Sequence, residues 1–185
     1  ALIISLLALV VGYRSFSVTQ ADYLEIEPLA INVGSDLQQV AKHLGGAIKI
    51  KTVSHQQRSK QDSAGFRNFQ QYLVDTYPRV HASVDRQLVN EFSLLYHWRG
   101  SDPQLDPILL LAHYDTVPVI RGTEQQWTQP PYSGAIADGY VWGRGAIDDK
   151  SVIITQLEVI EQLLIEGFQP RRSIYLAYGH DEEIG

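Results

Sequence analysis

Three stretches of this sequence bring ionisable side chains close together in patterns that can do chemistry. The first is Ile108–Pro118, where four branched apolar residues lead into His113 and, two residues later, Asp115. Residues i and i+2 of an extended chain point the same way, so the carboxylate lies beside the imidazole. A carboxylate that holds one ring nitrogen leaves the other nitrogen's lone pair free to bind a metal. The second is Asp148-Asp149, set after the bend Gly143-Arg144-Gly145, where a carboxylate can offer both oxygens and bridge two cations. The third is His180-Asp181-Glu182-Glu183, where one Glu can ligate a metal while its neighbour faces an attacking water as general base. Each cluster also has an ordinary reading: a buried His satisfied by an Asp, acids at a helix start worth ~0.3–1 kcal/mol each, or a solvated acidic turn. Three such clusters, each at a strand or helix edge, favour a common crevice.

The elements that must position these groups read as follows. Ile108–Leu111, bounded by Pro107 and Pro118, has the pattern of a strand buried on both faces, central in a helix-covered sheet. Such strands deliver their last residues to a crevice at the sheet's carboxyl edge. Ser173–Tyr178 reads as a second buried strand that ends at the acidic cluster, and Val89–Trp98 as a half-buried strand with Phe92, Leu94, Tyr96 and Trp98 on one side. Ile136–Trp142 reads as a hairpin around Asp138-Gly139. A helix follows Lys150 to about Glu166 with Ile153, Leu157, Ile160 and Leu164 inward, capped at Gly167. Earlier, Ser35-Asp36-Leu37-Gln38 fits a capping box for a helix ended by Gly45-Gly46, and a short strand is expected over Ala47–Val53. A helix over about Asp62–Tyr77 is stopped by Pro78. The expected fold class is α/β, a mixed, largely parallel sheet with helices on both faces. The long polar loop Val119–Gly134 has a functional look.

The 185 residues suffice for one well-buried domain, and 44% hydrophobic with 19% charged residues is a globular composition. A net charge of −6 without basic clusters argues against nucleic acid and anionic membrane surfaces as partners. With no cysteine, any metal must be held by nitrogen and oxygen ligands. Residues 1–12 are uncharged and apolar, shorter than the ~20 residues a spanning helix needs. They read as a signal-anchor or signal-peptide remnant, which places the protein on a membrane or outside the cytoplasm. The domain reading is therefore an apolar segment 1–13, a polar connector 14–34, and a globular part 35–185. A start without Met and a stop at Gly185, directly after the acidic cluster, read as a fragment.

The runs AHYDTVP, PPYSG, GRGAIDDK and GHDEE, in this order and spacing, resemble the M20 family of metallopeptidases. The stretch from Gly100 to Gly185 resembles its branch of carboxypeptidase S and the N-fatty-acyl-amino-acid synthase/hydrolases. The clear likeness covers about Phe92–Gly185, and the earlier part agrees more loosely. It implies a zinc-exopeptidase-like catalytic domain with two divalent metal ions, usually zinc. His113 would be a terminal ligand on one ion and Asp115 its orienter. Asp148, joined to Asp149 by a cis peptide bond, would bridge both ions. Glu183 would bind the second ion, and Glu182 would be the catalytic base. Members cut amide bonds next to a free carboxylate in peptides or N-acyl amino acids. An aminoacylase or dipeptidase of the same family, or a non-catalytic relative acting as an interaction module, is the alternative. The family's further ligands, a carboxylate and a late His, and its smaller domain, which can make a homodimer, have no counterpart in this chain. Metal binding by these residues alone is therefore expected to be weak. The reading requires His113 within ~8 Å of the carboxylates of Asp148 and Glu183, the span of two ~2 Å bonds and a ~4 Å ion gap.

Overall fold

The computed structural model describes residues 2–17 and 36–185. They belong to two separate units, residues 1–32 and 33–185. In the first, helix α1 spans Leu2–Ser17, four residues beyond the expected apolar segment. Its Ile4, Leu6, Leu7, Leu9, Val10 and Val11 are exposed. No helix among the described residues is long and apolar enough to cross a membrane. The expected polar connector lies mostly outside the described residues, as does Ser35 of the expected capping box.

In the second unit Asp36 caps helix α2 (Leu37–Lys49), its carboxylate accepting from the Gln38 N–H at 2.9 Å. Gly45-Gly46 does not end this helix, which continues to Lys49 and leaves the expected strand as a single bridge between Val53 and Thr116. The glycines serve a crossing instead. A Cβ on Gly45 would lie 2.7 Å from the Gly134 carbonyl oxygen, and one on Gly134 only 2.0 Å from that of Gly45. Asp62 caps helix α3 (Ser63–Thr76). Pro78 then opens the short helix α4 (Pro78–Ser83) rather than simply stopping its predecessor, since a first-turn position needs no N–H. His81 lies in α4.

Strands β1 (Asp85–Val89) and β2 (Ser93–Trp98) form a hairpin, where one strand was expected. Asn90 and Glu91 take left-handed backbone at the turn. Strand β3 (Ile108–His113) precedes the long loop and the small hairpin of β4 (Ala135–Ala137) and β5 (Tyr140–Trp142), with Asp138-Gly139 at its turn as expected. Helix α5 (Lys150–Ile165) ends at Gly167, whose φ of 72° suits a glycine stop, and β6 (Ile174–Gly179) follows.

The main sheet has the order β1-β2-β6-β3, with β3 and β6 parallel and the other pairs antiparallel. The class is the mixed α/β arrangement expected, with two differences. The interior strands are β2 and β6, whereas β3 lies at an edge among the described residues, with Leu109 57% and Leu111 66% exposed. An apolar run reveals that a strand can be buried, not which neighbours it finds. Helices α2–α5 join the core on one face only. Leu94, Tyr96, Trp98, Leu176 and Tyr178 meet Phe66, Phe69, Leu73, Ile153 and Leu157 there, while Leu95, Ala177, Leu109 and Leu111 share the other face. Each large apolar side chain buried in this core contributes roughly 1.5–3 kcal/mol.

Candidate metal centre

Parallel pairing of β3 with β6 brings their carboxyl ends side by side, and His113 stands directly opposite Gly179. That glycine leaves ordinary space beside the His113 Cβ, 3.7 Å from where its own Cβ would be. Alternation then sorts the next residues. Tyr114 turns into the core, stacking on Phe69 with ring centres 4.8 Å apart and donating its hydroxyl proton to the Phe92 carbonyl. His113 and Asp115 turn towards the site. Thr116 is clamped by the segment after α2, donating from its N–H to the Thr52 carbonyl at 2.9 Å.

Asp115 is fully buried and serves three partners. Its Oδ1 lies 3.2 Å from His113 Nδ1 and accepts from the Glu182 N–H at 3.2 Å, while its Oδ2 accepts from the Glu183 N–H at 3.1 Å. One carboxylate thus fixes the imidazole and the turn that carries both glutamates. Hydrogen bonds to an ionised acceptor are the stronger kind.

The third arm arrives from the loop before α5. Gly143 and Gly145 adopt φ of 147° and 84°, and a Cβ on Gly145 would meet the Thr116 side chain at 2.9 Å. The peptide bond between Asp148 and Asp149 is cis, as the resemblance implied. Asp148 Oδ1 lies 2.9 Å from His113 Nε2. Lys150, fully buried at the start of α5, donates from Nζ to the carbonyls of Ala47 at 3.0 Å and Ile50 at 2.7 Å, over the face of Phe69. It ties the acidic loop to the carboxyl end of α2. Burial drives its pKa down to about 7.

Single ligand atoms of His113, Asp148 and Glu183 all lie within 4.8 Å of one another. That falls between the ~3.3 Å separating neighbours on one tetrahedral ion and the ~8 Å spanning a pair of ions. Glu182 Oε2 is 3.7 Å from His113 Nε2. All five sequence-derived site residues therefore converge. Their exposure differs, for Asp115 is enclosed, whereas the side chains of Asp148 and Glu182 are 72% and 64% exposed. On the imidazole, burial alone would lower the pKa, but Asp148, Asp115 and Glu182 together raise it above its ordinary value. The two ring nitrogens face Asp115 and Asp148, and a ring protonated at both would donate to each. Burial raises the Asp149 carboxyl; the charge of His113 opposes this, and Asp148 and Glu182 add to it. A donor set of one imidazole and several carboxylates fits a borderline divalent ion such as zinc.

His180 and several other aromatic and imidazole side chains lie apart from this cluster. His180 bonds Ser93 Oγ at 2.7 Å and packs against Phe66 and Phe92. His43 pairs with Glu158 of α5, and His97 stacks on Tyr175. Tyr132 sits beneath Lys51, while Trp127 carries the Arg144 guanidinium 5.2 Å above its ring. Neither the role of Asp115 at the glutamate turn nor the clamp by Lys150 was visible in the sequence, because both have backbone partners distant along the chain.

Comparison with known proteins agrees with this geometry. The profile of peptidase family M20/M25/M40 matches residues 109–185. Probable carboxypeptidase S-like 2 of Dictyostelium discoideum is 40% identical over 184 residues, covering 97% of this chain and 35% of its own length. Carboxypeptidase S of Saccharomyces cerevisiae is 42% identical over 147 residues, covering 76% of this chain and 26% of its own. The human N-fatty-acyl-amino acid synthase/hydrolase PM20D1 is 40% identical over 142 residues, covering 76% and 28%. The chain thus spans between about a quarter and a third of these relatives' length. Among solved structures, the di-peptidase Dug1p of Saccharomyces cerevisiae superposes with a TM-score of 0.62 at 20% identity, over 83% of this chain and 34% of its own. The M20 metallo-carboxypeptidase Sso-CP2 of Sulfolobus solfataricus gives 0.62 at 21%, over 81% and 32%. These two show a shared fold. Motif order, the converging site and the relatives lead to one conclusion: residues 109–185 carry the pattern of peptidase family M20/M25/M40.

Proposed function

We propose that residues 35–185 are the amino-terminal part of the catalytic domain of a two-metal hydrolase that cleaves amide bonds next to a free carboxylate, in peptides or N-acyl amino acids. The observation that carries this reading is the convergence of His113, Asp148 and Glu183 beside Glu182. The relatives named carboxypeptidase S and N-fatty-acyl-amino acid synthase/hydrolase support both substrate kinds.

His113, Asp148 and Glu183 would hold the divalent ions, zinc by the chemistry of the donors. Bound there, the ions would polarise the amide carbonyl and lower the pKa of water. Asp115 holds the imidazole with Nε2 facing the carboxylates and keeps both glutamates in place through their backbone N–H groups. Glu182, exposed and beside Nε2, accepts the proton of the attacking water and returns it to the leaving nitrogen. The deciding assay uses the complete zinc-loaded protein on N-acyl amino acids and on dipeptides. Release of the free amino acid from either class, abolished by chelation and restored by zinc, is expected. No turnover of either would overturn the reading.

We also infer that α1 directs the protein to a membrane or across one. Its uncharged run and exposed aliphatic side chains support this. Identical fractionation of the complete protein with and without residues 1–17 would refute it.

A further inference from the structure

Arg144 has a partner for the face of its guanidinium and none for the edge. It lines a cavity of about 860 Å³ whose wall also includes Asp148 and Glu183 of the metal-ligating cluster. Within that wall Arg144 is the sole cation, and those two acids are the other charged residues. Among the described residues its side chain makes no ion pair and no hydrogen bond, and its Nε is buried without an acceptor. Leaving a buried donor unpaired is costly, and a folded protein that tolerates one calls for a reason.

The backbone beneath this side chain is fixed from three directions. The Arg144 N–H donates to the Pro131 carbonyl at 2.6 Å. A Cβ on Gly143 would lie 2.4 Å from Ile48 Cγ2, and one on Gly145 2.9 Å from Thr116 Cγ2. From this pinned bend the guanidinium lies over the Trp127 ring, 5.2 Å from its centroid. Stacking uses the flat face of a guanidinium and leaves the N–H groups in its plane for a planar oxyanion. Its charge is felt nearby: burial raises the Tyr132 pKa, and Arg144 opposes that rise. A latch for the Trp127 loop needs only the face. The donor edge is surplus to it.

We propose that Arg144 anchors the carboxylate of the leaving amino acid, so that this cavity receives the amine side of the scissile amide. In an α-amino acid the carboxylate and the amide nitrogen are bonded to one carbon, so the groups that hold the two must line one cavity. Arg144 stands four residues before Asp148, which puts their Cα atoms at most ~14 Å apart, and both share the wall with Glu183. The two acids alone would repel a carboxylate. Zinc held by them would cancel that charge and leave Arg144 to decide where the carboxylate settles. The proposal rests on the hydrolase reading above and adds the residue that selects for a free carboxylate.

The test is calorimetric titration of the complete zinc-loaded protein, carrying Glu182→Gln to prevent turnover. It compares N-acetyl-leucine with N-acetyl-leucinamide, which lacks the charge. The carboxylate should bind the more tightly. Arg144→Met should cost it roughly ten- to hundredfold, the scale of a hydrogen bond to a charged group, with amide affinity and zinc content unchanged. Arg144→Lys should keep part of the advantage. An advantage that survives Arg144→Met in full would assign the carboxylate to zinc or another residue and overturn the proposal. An equal loss for both ligands would reduce Arg144 to a loop latch and overturn it as well. Should Arg144→Met not fold, phenylglyoxal labelling of the chain that keeps Arg144 decides, read by peptide mass spectrometry. N-acetyl-leucine should shield Arg144 and the amide should not; equal labelling with both would sink the assignment. Carboxylate-dependent binding through Arg144 without turnover by the protein that keeps Glu182 would sustain this subsite and remove the hydrolase reading. Turnover whose preference for the carboxylate is intact in Arg144→Met would do the reverse.

Discussion

Asp115 Oδ2 accepts a hydrogen bond from the backbone N–H of Glu183 at 3.1 Å, across 68 residues of sequence. Its other oxygen serves His113 Nδ1 and the Glu182 N–H. Asp115→Ala removes the shared support of the imidazole and the glutamate turn without removing a proposed ligand. Outer carboxylates of this kind typically alter metal affinity 10–100-fold. Zinc competition titration of the complete protein should show a loss in that range, and Asp115→Glu should not restore it, because the longer side chain cannot fit the enclosed position. Affinity within threefold of the parent would refute this role.

Glu182→Gln keeps the size of the side chain but removes the base. General bases contribute about 10²–10⁴-fold. The expected outcome is a fall of that size in kcat with little change in KM and unchanged zinc content by elemental analysis. Near-normal turnover would assign proton transfer to another group.

Zinc binding should weaken on acidification. The carboxylates around His113 raise its pKa above the ordinary value despite burial, and the proton on Nε2 must leave before a metal can bind. Below that raised pKa the affinity should fall by about tenfold per pH unit for this one proton. In the metal-free protein the same shift has the reverse sense: His113 contributes stability that is full below pH ~6.5 and is lost as pH rises through its folded pKa. Calorimetric zinc titrations between pH 5.5 and 8 would check the first statement. A pH-independent affinity would contradict it.

His81 titrates in the opposite sense. Burial lowers its pKa, outweighing its contact with the Tyr77 carbonyl at 2.8 Å; Nε2 lies 3.0 Å from the Tyr96 hydroxyl. The unfolded chain then binds the proton more readily than the folded one. Stability is full above pH ~6.5 and declines as pH falls through the unfolded value towards the folded one. Urea unfolding from pH 8 to 5 should show a shallower acid loss in His81→Gln than in the parent. Equal slopes would exclude His81 as the cause.

Gly45→Ala should destabilise the protein by about 1–3 kcal/mol or more, because the added methyl meets backbone at 2.7 Å. Gly46→Ala also meets close atoms, but they belong to the Tyr72 side chain, which can shift at the cost of its hydroxyl's hydrogen bond to the His43 carbonyl, whereas backbone cannot. Chemical denaturation should rank Gly45→Ala as clearly the worse.

Much of the site was legible because its geometry is local. The i, i+2 spacing of His113 and Asp115 and the acidic residues at the ends of β6 and the Gly143–Gly145 bend need only strand alternation and turn chemistry. The hairpin at Asp138-Gly139 and the stop of α5 at Gly167 were equally readable. What failed was non-local. Gly45-Gly46 looks like a helix stop until the loop at Gly134 is known to press against it. Ile108–Leu111 has a core strand's composition yet lies at an edge among the described residues, since composition is silent about neighbours. Lys150 has the sequence setting of a surface lysine, and only the two carbonyls after residue 46 explain its burial.

The place of β6 between β2 and β3 has a consequence for biosynthesis. The β1–β2 hairpin can form as soon as it leaves the ribosome, but β3 has no partner in the main sheet until residues 174–179 emerge. Through that interval His113 and Asp115 hang on a greasy, unpaired ribbon, the kind of nascent segment that invites chaperone capture or misassociation. Pairing of β6 therefore joins β3 to the hairpin and, in the same event, brings His113 and Asp115 beside the turn that carries Glu182 and Glu183.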